Sequence, residues 1–123
     1  MRIPDDTARR IKDFLAGRLT ESVGLALPST WSPKSPPHVV VFDDGGPTEW
    51  PILTEPRIRV TVWAAGRTAS RDLAALCIGL LMTYDVPNVA HVRDPSSILD
   101  ARDDNGGIMA SFTVAVKSRT VSV

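Results

Sequence analysis

With 123 residues, 43% of them hydrophobic and 23% charged, the chain is long enough for one domain with its own core and too apolar for a disordered one. Its 14 basic and 14 acidic side chains cancel, leaving no net positive field to hold a nucleic-acid backbone or an anionic membrane. A lone cysteine, Cys77, rules out an internal disulfide framework or zinc cluster; placed in an apolar helical run, it reads as a small buried hydrophobe.

Charged residues interrupt every stretch between Arg2 and Glu21, so no signal-peptide core is expected. Residues 5–23 predict a first helix, with Asp5 and Asp6 at its positive end and Ile11, Phe14, Leu15 and Leu19 as one apolar stripe. Arg9, Arg10, Lys12 and Asp13 lie off that stripe and read as a solvated face. Residues 24–37 (GLALPSTWSPKSPP) predict a long loop, because repeated prolines remove backbone donors. Trp31 within it either docks a partner or folds back as a lid on its own core.

Residues 38–42 (HVVVF) predict a strand, and Asp43-Asp44-Gly45-Gly46 a turn. A second loop follows, with Trp50 between Pro47 and Pro51, where a stiffened backbone lowers the entropy cost of presenting an aromatic side chain. The clearest strand lies over 56–64, where Ile58, Val60 and Val62 alternate with Arg57, Arg59, Thr61 and Trp63. A second helix is expected over 68–84, with Leu73, Leu76, Cys77, Leu80 and Leu81 buried and Val86-Pro87 closing it. Its apolar run is too short to cross a bilayer. Short strands are expected over 88–93 and in part of 97–102, then a two-residue Asn105-Gly106 hairpin turn. The last strand, 107–117, carries Ile108, Ala110, Phe112, Val114 and Val116 on one side. The pattern predicts a single α+β domain over 1–123: a mostly antiparallel sheet of four to five strands with both helices packed on one face.

Catalytic chemistry finds little footing. His38 and His91 both fall in predicted strands, and no G-x-S-x-G accompanies them. Gly45-Gly46 and Gly106-Gly107 belong to no phosphate-binding loop. Residues 100–106 fail as a calcium loop, since Arg102 takes a ligand position and no glutamate closes it. The pairs Asp43/Asp44 and Asp103/Asp104 sit beside glycines in expected turns and read as solvated. The expectation is a protein that is no enzyme and needs neither metal nor cofactor.

The central segment VVVFDDGGPTEWPILTEPRIRVTVWAAGRTASRDLAALCIGLL and the closing GGIMASFTVAVKSRT resemble the tail terminator proteins of long-tailed, siphovirus-type bacteriophages, particularly those of actinobacterial hosts. The resemblance implies a homo-oligomeric ring, commonly a hexamer, at the tail–neck junction of a virion assembled in the host cytoplasm. Such a ring caps the tail tube, stops its polymerisation and presents a surface to the head connector. Its partners are its own copies, the major tail tube protein and the head–tail connector protein, with DNA passing through and no membrane. Other neck, connector or tail-completion proteins fit the same pattern. A small nucleic-acid-binding module, with Arg57, Arg59 and Trp63 as its platform, is the reading from another class. Trp31, Trp50, Arg57, Arg59 and Trp63 are the candidate interface residues, each with a plain alternative: the tryptophans pack on their own chain and the arginines are solvated.

Overall fold

A computed structural model describes all 123 residues. Helix α1 (Thr7–Arg18) starts at Asp6, whose carboxylate accepts from the Arg9 amide at 3.3 Å. It ends five residues before the expected boundary at Val23. Leu19 is already extended, still touching the core, and the chain turns into β2 (Ser22–Gly24), which pairs parallel with β3 (His38–Asp43). Val23 is apolar as a strand residue, and its backbone is satisfied by the sheet. A parallel pair needs a long return, and residues 25–37 supply it.

Strand β3 runs antiparallel to β6 (Arg57–Ala64), and β6 to β9 (Ile108–Arg119). Between β3 and β6, where a turn at Asp43–Gly46 and then a loop were expected, the chain forms two further short strands. It continues as β4 (Thr48–Glu49) and returns as β5 (Leu53–Thr54), closing with a hydrogen bond from the Ile52 amide to the Glu49 carbonyl at 2.8 Å. The result is one long hairpin arm whose tip holds Trp50, Pro51 and Ile52. The two glycines form a kink inside the arm: both have positive φ, and a Cβ on Gly46 would run into the Glu55 carbonyl. Only a residue without a side chain lets the two backbones pass so closely.

The sheet has eight strands, mostly antiparallel with one parallel pair, where four to five were expected. The excess arises from interruptions. β5 and β6 keep one register against β9, with Leu53 opposite Arg119, Thr54 opposite Ser118 and Arg57 opposite Ala115. They are separated where Pro56 lacks an amide hydrogen. On the other edge of β9, β7 (Val89–Arg93) and β8 (Leu99–Arg102) lie end to end, parted by the Asp94-Pro95 break. A small separate ladder joins β1 (Arg2–Ile3) to β10 (Val121–Ser122). The β8–β9 hairpin also turns differently from the two-residue expectation. The Asp103 amide donates to Gly107, the Gly106 amide to Asp103, and Gly106, not Asn105, takes the positive φ of 85°.

Helices α1 and α2 (Arg67–Thr83) cover one face. Ile11, Phe14, Leu15, Leu73, Ala74, Cys77 and Leu81 meet Val39, Val41, Ile58, Val60, Val62, Ala110, Phe112, Val114 and Val116 in a single core. Leu76, expected in the buried stripe, faces outward at 51% exposure. No helix is long and apolar enough to cross a membrane.

The face away from the helices is divided. At the Trp63 end, the 25–37 connection lies across it, and Trp31, Val40 and Trp63 form a second, smaller core. At the Arg57 end, the face is open.

Candidate protein-interaction surface

The five candidate residues separate into two groups. Trp31 and Trp63 are each only 7% exposed, so they serve the chain's own second core and leave the solvent-facing surface. Their polar edges are satisfied internally. Trp31 Nε1 donates to the Pro36 carbonyl at 2.9 Å, and Trp63 Nε1 donates to Asp103 Oδ2 at 2.8 Å. The aromatic ring of Trp31 presses so closely on Gly107 that a Cβ there would fall 2.5 Å from it. Asp103, expected to be solvated with Asp104, is thus partly buried as the anchor of a tryptophan.

Trp50, Arg57 and Arg59 remain at the surface. Trp50 is 54% exposed and Ile52 63%, at the tip of an arm that is firmly held. Thr120 ties it down: its Oγ1 donates to the Pro51 carbonyl at 2.6 Å, and its amide donates to the Ile52 carbonyl at 3.4 Å. Arg2 fixes Thr120 in turn, through Nε to Oγ1 at 3.0 Å and Nη2 to the carbonyl. The exposed aromatic therefore stands on a preorganised support, which lowers the entropy lost when a partner closes on it.

The open half of the face carries both signs of charge. Arg59 reaches Asp44 at 3.3 Å while stacking 4.4 Å above the Phe42 ring. Arg57 donates to Thr113 Oγ1 at 3.3 Å. Arg93 and Lys117 converge on Glu55 at 3.8 and 3.7 Å. With Trp63 buried, the Phe42 ring already covered by Arg59, and Asp44, Glu55 and Asp94 among the cations, this patch lacks the free stacking ring and the uniform positive charge that a nucleic-acid platform uses.

His38 and His91 lie on β3 and β7, strands separated by β6 and β9. His38 is buried with Nε2 3.3 Å from the Ala26 carbonyl. No three His, Cys, Asp or Glu side chains gather closely enough to hold a metal ion. At the N-terminus, Asp5 hydrogen-bonds Arg10 at 2.9 Å and holds that guanidinium above its ordinary pKa.

Burial, reinforced by the nearby charge of Glu21, pushes the Cys77 thiol up to about 12 from an ordinary value of 9.0. At pH 8 roughly one molecule in ten thousand then carries a thiolate, and the native protein is expected to resist a thiol reagent that labels the denatured chain within minutes. Rapid native labelling at pH 8 would contradict this burial. The sign for stability follows by linkage. The contribution of the neutral thiol is complete below pH 9 and is lost as pH rises toward 12.

Residue patterns singled out Trp50 but not its supports. Arg2, Thr120 and Ile52 come from three separate segments that meet only in the fold. The one available signal was the continuing alternation Val114, Val116, Ser118, Thr120, all buried, which extends the last strand beyond Lys117. Compared with protein-family models and with curated proteins, the chain matches none.

Proposed function

We propose that the chain is a structural subunit of a homo-oligomeric ring of the phage tail-terminator kind, which caps a tail tube and offers a joining surface to the head connector. The observation that carries this reading is the braced arm with Trp50 and Ile52 exposed at its tip. An exposed aromatic on a rigid mount is the kind of group that anchors protein interfaces. A closed ring also needs two different, complementary surfaces on each subunit. The arm lies on one side of β9, and the outer edge of β7 and β8, with Leu99 exposed, lies on the other. Support for the tail itself comes from the residue pattern that resembles tail terminators.

The test has two parts. Native mass spectrometry of the purified chain over a concentration series is expected to give a closed ring, and Trp50→Ala is expected to weaken assembly about 30-fold or more. A strictly monomeric chain that also leaves the length of polymerising tail tubes from the same phage genome unchanged overturns the proposal. Tubes of uniform, capped length in its presence support it.

A further inference from the structure

The outward face of α2 is the other apolar surface without a covering element. From Leu73 to Thr83 the helix has no charged residue, and its solvent side presents Ala75, Leu76, Gly79, Met82 and Thr83, with Asp72 as its one acidic residue. Arg67 and Arg71, also on the first turns, are both engaged by Asp100; Leu76 is half exposed, and the space where a Gly79 side chain would stand is empty. A protruding leucine and a gap lie one helical turn apart on the same stripe.

We infer that this face packs antiparallel on α2 of a second copy, about a two-fold axis passing between Leu76 and Gly79. Three features point to the same chain as occupant. The first is reciprocal shape: in this register Leu76 of each copy covers Gly79 of the other, the self-complementarity an isologous contact requires. Gly79 lets the two backbones approach closely.

The second is charge. The same register sets Asp72 opposite Thr83 of the second copy, beside that copy's Tyr84, against whose ring Arg18 lies at 3.9 Å. Asp72 and Arg18 enter none of the ion pairs within the chain, so each copy brings an unmatched carboxylate to one end of the contact and an unmatched guanidinium to the other. The third is the helix dipole. α2 has no acidic residue in its first turn and no basic residue in its last, and antiparallel pairing sets each end beside its opposite. The contact is separate from the Trp50 arm and does not depend on the ring.

Sedimentation velocity over a concentration series tests it. The wild-type chain is expected to pair in a concentration-dependent manner. Leu76→Glu is expected to raise the dissociation constant about 30-fold or more. Gly79→Gln is expected to separate the copies while leaving the melting temperature unchanged or higher, because glycine is a poor helix former and the site is open within the chain. That outcome distinguishes a lost contact from a damaged fold. Asp72→Arg and Arg18→Glu are each expected to weaken pairing, and the double substitution to restore it. A wild-type chain that does not pair at any attainable concentration overturns the inference. So does pairing that ignores Leu76→Glu and Gly79→Gln. Pairing sensitive only to Trp50→Ala would place the contact on the arm and leave the ring proposal standing alone.

Discussion

Phe112→Ala is expected to destabilise the protein by about 3–5 kcal/mol, a large share of the roughly 5–15 kcal/mol by which a domain of this size is stable. Phe112 is the largest of the fully buried side chains. It sits on β9 opposite Val60 in the layer between sheet and helices. The cavity cannot collapse easily, because the backbone of β9 is held by β6 on one edge and by β7 and β8 on the other. Denaturant unfolding followed by circular dichroism checks this, and a loss below about 1.5 kcal/mol would mean that the layer repacks around the gap.

Trp31→Ala is expected to destabilise by about 3 kcal/mol and to do so locally. Trp31 closes the second core over Val40 and Trp63, and its indole is the main apolar anchor of the 25–37 connection. Without it, amide exchange is expected to quicken across residues 25–37 while α1 and β6 keep their protection. Trp63 emission is expected to shift to the red as water reaches it. Uniform acceleration across the whole chain would instead show that the two cores unfold as one. Trp31→Phe keeps most of the apolar volume but loses the bond to the Pro36 carbonyl, and is expected to fall between the two.

The main core was legible because period-two and helical alternation report burial directly. Ile58, Val60 and Val62, and Ala110 through Val116, are buried as that alternation requires. Alternation says nothing, however, about a second covering layer. Thr61 and Trp63 sit on the face read as polar, yet both are buried, because the proline-rich connection crosses that end only. Whether Trp31 docks elsewhere or closes its own face is decided by the parallel pairing of β2 with β3, a contact between segments that local propensity does not couple. The Asp-Asp-Gly-Gly motif ends β3 as expected, but the short hairpin in the loop beyond it was not legible. Glycine marks a place where backbone must pass closely or turn sharply, and the motif alone cannot distinguish the end of a hairpin from a kink within one. Leu76 was assigned to the core by its apolar character, although the helix buries Ala74 beside the expected Leu73, Cys77 and Leu81 and leaves Leu76 outside. Of the candidate contact surface, Trp50 was readable from its flanking prolines, while its bracing by Arg2 and Thr120 depends on partners at opposite ends of the chain.

The position of β9 in the chain has a consequence for how the molecule is made. Four other strands bond to this one segment, and all four precede it in the chain. Until Ile108 to Arg119 has emerged, β6 is a bare edge and β7 and β8 have nothing to join. The nascent protein must therefore wait, with β3 paired to β6 but the other edge of β6 open, until this strand follows the rest of the sheet. Its most aggregation-exposed interval falls before β9 emerges, when α1, β3 and β6 exist without the strand that unites the sheet.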